Sequence, residues 1–160
     1  TLEYCILVVL LLIASLVDWE SGLIPDRILL CAVGNFVILT LARGEGLAGL
    51  GHGALSGLAV SIPLLILVLL MDKVLSRESM GGGDIKLFFV VGLYFSLWEL
   101  LVVVIFACVI GIVLALATQK TTGDEENPKA FPFGPAIALA AAAALLCAQP
   151  LTDWYLGLFM

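Results

Sequence analysis

The chain has 160 residues, is 62% hydrophobic and only 12% charged, and has a mean hydropathy of +1.20, which excludes a soluble domain with a wetted polar surface. Its net charge of −6 argues against a nucleic-acid partner, which would need basic patches on an accessible face. The length leaves room for one compact membrane bundle.

Apolar runs cover residues 2–17, 28–42, 54–71, 85–97, 100–118 and 133–148. They predict an all-α integral membrane protein with about six transmembrane helices in one polytopic bundle. Several runs are shorter than the roughly 20 residues of a perpendicular span, so their ends must draw in flanking residues or meet a thinned bilayer. The first run follows "TLEY" without the basic region of a secretory signal and reads as a retained helix.

Cytoplasmic loops are enriched in Lys and Arg. With six spans, the gaps around 18–27, 72–86 and 119–132 share one side and hold Arg27, Lys73, Arg77, Lys86, Lys120 and Lys129, whereas the other side holds Arg43 alone. The expectation is a multi-pass membrane protein with those gaps on the cytoplasmic side and both termini outside. Tyr4, Tyr94, Trp98, Trp154 and Tyr155 then form an outer aromatic belt, and Trp19 sits at the inner interface. The single cysteines Cys5, Cys31, Cys108 and Cys147 lie inside apolar runs with no C-x-x-C pair or histidine cluster beside them, and read as packing residues. The third inner gap, with its Asp124-Glu125-Glu126 run, reads as a solvated loop, and the alanine run 140–144 as a closely packed helix.

Two carboxylates need a further reason. Asp18 ends the first apolar run in "SLVDWESGLIPDRI", and Asp84 leads into the fourth in "SMGGGDIKLFF", on the same side of the membrane. Ionisable groups at membrane depth are costly and mark pathways or reactions. Taken singly, Asp18 could merely end its helix and Asp84 could be an N-cap. Gly81, Gly82 and Gly83 weigh against simple capping, because they permit positive φ and close backbone approach, so an extended substrate could lie in a cleft beside Asp84. Two carboxylates brought together share one proton: the ionised member can take a proton from water while the protonated member polarises a peptide carbonyl. That chemistry requires no metal and no cofactor.

Other chemistries find little material. The only histidine, His52, falls in a glycine-rich outer gap and reads as a solvated loop residue, which leaves a Ser or Cys nucleophile without its base. "GEGLAGLG" has glycines at phosphate-loop density but lacks the following Lys-Ser/Thr. Asp26 after Pro25 reads as the cap of the second helix, Lys86 as a side chain reaching for the interface, and Gly22 with Pro25 as the turn back into the membrane.

The order of "DWESGLIPD" after the first helix, "GGGDIK" opening the fourth and "FGP" at Phe133, Gly134 and Pro135 opening the last resembles the type IV prepilin peptidases, membrane aspartic proteases of the G-x-G-D class. The resemblance covers essentially the whole chain. It implies that Asp18 and Asp84 are the catalytic pair. It also implies that the substrates are type IV prepilins, pilin-like secretion or competence subunits, or archaellin precursors, cut after a glycine that ends a short basic leader on the cytoplasmic side. The acidic inner face, with Glu20, Asp26 and the 124–126 run, suits such a leader electrostatically.

Residues 1–160 read as a single transmembrane peptidase domain. Longer bacterial members carry a zinc-bound region with paired C-x-x-C motifs associated with N-methylation; no such region is present here, so the resemblance supports cleavage and leaves methylation unsupported. Three rival readings are a presenilin-like intramembrane protease, a proton or cation carrier built on the paired carboxylates, and an assembly scaffold with inert aspartates.

Overall fold

The computed structural model describes residues 2–75, 81–119 and 133–157. Arg77 and the segment 120–132, with its acidic run, lie outside the described residues, as do the side chains of Cys147, Trp154 and Tyr155. Six helices run in chain order: α1 (Leu2–Ser21), α2 (Asp26–Ala42), α3 (Gly46–Leu75), α4 (Gly82–Tyr94), α5 (Leu97–Gln119) and α6 (Gly134–Gly157). No strand occurs among the described residues. Each helix contains one expected apolar run, and α1, α3 and α5 hold stretches long and apolar enough to cross a membrane.

Local chemistry sets the boundaries. Gly22 adopts a φ of +66° and donates its N–H to the Asp18 carbonyl at 2.8 Å, which ends α1 in a left-handed cap that a side chain would strain. Pro25 is the N-cap of α2, so Asp26 is the first helical residue and not the cap expected from sequence. Between α4 and α5, Ser96 and Glu99 form a capping box: the Ser96 N–H and hydroxyl each donate to Glu99 Oε2 at 2.9 Å. That box splits what reads as nearly continuous apolar sequence into two antiparallel helices.

Helix α3 begins at Gly46, well before the apolar run at 54, so His52 lies on an exposed helical face and not in a loop. The reason is packing. Gly49, Gly53 and Gly57 recur at four-residue spacing and form one bare stripe on α3. A Cβ on Gly53 would run into the Phe36 ring and come within 2.7 Å of the Leu93 carbonyl, and one on Gly57 would meet the Phe89 carbonyl at 2.8 Å. Opposite them, a Cβ on Gly92 would lie 2.5 Å from the Gly57 Cα. Gly53 and Gly57 thus seat α3 against α4, while the stretch resembling a phosphate loop, 44–51, forms the turn before α3 and its first turns. Because backbone cannot give way as a flexible side chain does, Gly92→Ala is expected to destabilise the bundle by about 1–3 kcal/mol, read as a lower unfolding midpoint in detergent.

Helix α4 is the centre of the bundle. It has 13 residues, about 20 Å, too short for a hydrocarbon core of about 30 Å, and from Leu87 to Tyr94 only Phe89 is not buried. Tyr94 is thus a core residue and not part of an aromatic belt: its hydroxyl donates to the Ala32 carbonyl at 2.6 Å, accepts from Asn35 Nδ2 at 2.9 Å, and its ring meets Phe36 edge-on at 5.4 Å. Tyr4 packs on Phe95 and reaches the Tyr94 carbonyl, whereas Trp98 and Trp19 are exposed near opposite ends, as expected. The alanine run fulfils its expectation, with Ala136, Ala140, Ala141 and Ala144 buried where α6 packs on α5 and α1. Cys5, Cys31 and Cys108 are instead exposed on the outer surface of their helices, so these three do not fill the interior. Thiols are apolar enough to face lipid.

One end of the bundle carries the Glu3–Arg43 ion pair at 2.7 Å, and the other the starts of α2, α4 and α6 with the end of α1. At that second end α3 and α5 continue past their neighbours. Leu65 is level with Ile85 and Lys86, from which α3 runs on for about 15 Å. Gly111 is level with Phe133, and α5 runs on for about 12 Å. Both extensions expose apolar side chains, including Ile66, Leu70 and Val74 on α3 and Ile112, Val113 and Leu116 on α5.

Candidate active site

Both sequence-predicted carboxylates lie at this second end of the bundle. Asp18, on the last turns of α1, is 5% exposed, and Asp84, in the first turn of α4, is 8% exposed. They come from separate helices and act on one another electrostatically across the site. Among the described residues neither has a basic partner: the ion pairs join Arg43 to Glu3 and Glu45, and Lys86 to Asp26 at 2.7 Å. Lys86 therefore neither serves the carboxylates nor stands free; it pairs with Asp26 on the exposed rim. Isolated buried charge is expensive and is normally neutralised or paired. Two buried carboxylates close enough to interact can hold one proton between them.

Each carboxylate is held by a backbone N–H at a helix start. The Gly134 N–H, one of the orphan donors of α6, donates to Asp18 Oδ2 at 2.9 Å. Asp18 thus caps a helix remote from its own and sits at its positive end. Asp84 is the third residue of α4, and its carboxyl reaches back to the backbone N–H of the N-cap, Gly81. That is the position of the acidic partner in a capping box, so the capping role weighed from sequence is present, though Asp84 is not the N-cap itself.

The glycines act differently from expectation. None of Gly81, Gly82 and Gly83 has a positive φ: Gly81 is extended at φ −65°, ψ 136°, and the other two open the helix. Only Gly83 meets a close neighbour outside the aspartate, with its Cβ position 3.2 Å from Ile24 in the α1–α2 connection, while Gly82 faces open space. The position where absence of a side chain is most strictly required by the site is Gly134, to which sequence reasoning gave no role. A Cβ there would lie 2.6 Å from Asp18 Oδ2. The one signal in the sequence was its place in "FGP". Phe133 beside it fills the space above Gly111, fixing where α6 begins. Among the described residues no group of three or more His, Cys, Asp or Glu side chains is placed to hold a metal ion.

An all-α bundle with two buried carboxylates at one end, neither with a basic partner among the described residues, belongs to the class of membrane proteins that carry ionisable groups inside a helical scaffold. A model of the type IV leader peptidase family matches residues 5–116, and the chain belongs to that family. It is similar to the prepilin leader peptidase/N-methyltransferase of Aeromonas hydrophila, 26% identical over 160 residues, covering 100% of this chain and 54% of the relative. The protein of the same name from Bacillus subtilis is 30% identical over 149 residues, 92% of this chain and 56% of the relative. That from Stutzerimonas stutzeri is 31% identical over 148 residues, 91% and 50%. The chain spans about half the length of these curated relatives. No solved structure gives a significant match.

Proposed function

We propose that the chain is a membrane aspartic endopeptidase that removes the short basic leader from type IV prepilins or pilin-like precursors, with Asp18 and Asp84 as its catalytic pair. The observation that carries the reading is the pair itself, two buried carboxylates from α1 and α4 that have no basic partner among the described residues. A water between them loses a proton to the ionised member as its oxygen attacks the scissile carbonyl, which the protonated member polarises. Collapse of the tetrahedral intermediate then breaks the C–N bond, and a carboxyl proton goes to the leaving amine. The Gly134 N–H keeps Asp18 Oδ2 aimed at that water.

The site faces the cytoplasm in this reading, with both chain termini outside. Arg27, Lys73 and Lys86 lie toward the aspartate end and Arg43 lies at the other, the asymmetry of a cytoplasmic face. The apolar extensions of α3 and α5 beyond the level of the pair support a site below the membrane surface, which the peptide would have to enter. The deciding experiment uses detergent-solubilised protein and a precursor with a basic leader, a glycine boundary and a following apolar helix. Cleavage after the glycine, located by mass spectrometry, supports the reading. Cleavage within the apolar helix would favour an intramembrane protease, and proton or cation flux in liposomes without cleavage would favour a carrier.

A further inference from the structure

The two carboxylates stand on helices that scarcely touch: α1 packs on α6 and α2, whereas α4 packs chiefly on α3 and α2. Their separation therefore depends on what bridges the end of α1 to the start of α4. At that end of the bundle the bridge is the connection 22–25, whose Ile24 side chain rests on Gly83, the residue before Asp84. We infer that Ile24 is a positioning residue: seated against the bare Gly83, it fixes how far Asp84 stands from Asp18. The inference rests on the peptidase reading above.

Both ends of this bridge are fixed. On the α1 side the Gly22 N–H donates to the Asp18 carbonyl at 2.8 Å, and the Ser21 hydroxyl donates to the Val17 carbonyl at 2.7 Å and accepts from the Leu23 N–H at 3.3 Å. The connection thus moves with the turn that holds Asp18. On the α4 side, a Cβ on Gly83 would lie 3.2 Å from Ile24 Cβ and 3.5 Å from its Cγ1 and Cδ1. The nearest of these atoms is the branch point beside the backbone, which cannot swing aside as the end of a long side chain can. Ile24 is also packed against the core, whereas Leu23 beside it is 73% exposed. Gly83 has no positive φ and lies inside α4, where alanine would be the better helix former by about 1 kcal/mol. Local structure therefore does not call for a glycine there; the seat for Ile24 does. A second link, Lys86 Nζ to Asp26 Oδ1 at 2.7 Å, joins α2 to α4 just past Asp84, but its side chains are 58% and 66% exposed. Exposed pairs contribute about 0–1 kcal/mol, too little to hold the helix start alone. Of the charged side chains on α1, α2, α3 and α6 among the described residues, Asp18 is the one that acts on Asp84. A change in spacing must then register in the coupling of those two groups.

Gly83→Ala drives a methyl group between Ile24 and α4 and should lower kcat for the precursor described above by about tenfold, with KM little changed. Ile24→Ala withdraws the support and should lower kcat to a similar degree. Together they should suppress one another, because the truncated side chain leaves room for the methyl, so the double variant is more active than either single one. Leu23→Ala, in the same connection, is the control and should match wild type. Proton coupling is the readout that mere destabilisation would not move. Infrared titration of the carboxyl groups, assigned by the signals lost in Asp18→Asn and Asp84→Asn, should show the two steps of the pair drawing together by about half a pH unit in Gly83→Ala. Full kcat in the single variants, a double variant no better than either, unmoved titration steps or an equal loss in Leu23→Ala each overturn the inference. So does a loss of activity in Gly83→Ala that only follows a lowered unfolding midpoint. The two readings can fail separately. Titration steps that move as stated, in a protein whose wild type cuts no precursor, would sink the peptidase reading and keep the positioning role. Normal cleavage by wild type and by every variant would do the reverse.

Discussion

Asp18→Asn and Asp84→Asn should each lower cleavage of a prepilin-like precursor by about a thousandfold or more while leaving the bundle folded. Asparagine keeps the shape of aspartate and keeps an oxygen acceptor for the Gly134 N–H at position 18 or the Gly81 N–H at position 84. It cannot take a proton from water or hand one to a departing amine. Each substitution also removes a buried carboxylate that has no basic partner among the described residues, so the variants should unfold no more readily than wild type, and a raised midpoint is the expected direction. Since the proposed mechanism uses the two groups as one device, the double variant should be no less active than either single one. Single-turnover cleavage followed by mass spectrometry, with thermal unfolding of the same preparations, checks all three statements. A scaffold role predicts full activity in both variants, and a residue acting only as a helix cap predicts a loss of stability in step with activity. The rates and the melting curves should instead move independently.

Much of this architecture was legible because membrane helices announce themselves by apolar length, and six runs became six helices. The aspartates stood out for the complementary reason, that an ionisable side chain beside such a run demands an explanation. What escaped was set by tertiary contact. The start of α3 reads as a loop because Gly46 to Gly53 are poor helix formers in isolation, yet a bare stripe is what lets α3 approach Gly92 and Phe36 closely enough for dispersion to outweigh propensity. The glycines before Asp84 suggest a flexible cleft, yet two of them are helical, because φ is not written in residue type. Lys86 and Asp26, far apart in sequence, find each other only once α2 and α4 are side by side. The burial of Asp18 was likewise hidden: it reads as the polar end of a span, and only tertiary packing leaves it 5% exposed.

Gly134 gives the second large effect. Its N–H is 2.9 Å from Asp18 Oδ2, and the same closeness leaves no room for a methyl group, whose carbon would lie 2.6 Å from that oxygen and 3.1 Å from the Asp18 Cβ and Cγ. In Gly134→Ala either the carboxylate rotates off the N–H or the start of α6 recedes from α1. Ile137, Ala140 and Ala141 hold α6 in the core and Phe133 is seated over Gly111, so the side chain is the easier part to move. In the proposed mechanism Asp18 is a reacting group, a displacement of about 1 Å in such a group can cost about a hundredfold in rate, and that is the loss expected in kcat. Gly34→Ala is the matching control: it lies inside α2 with nothing within 4 Å of the added carbon, and should stabilise the protein by about 0.5–1 kcal/mol without touching kcat. If Gly134→Ala instead lowers the unfolding midpoint and leaves kcat intact, the contact serves only to join α1 to α6. If kcat falls in a protein that melts normally, the start of α6 positions the carboxylate, and the glycine in "FGP" is required because Asp18 occupies the space its side chain would take.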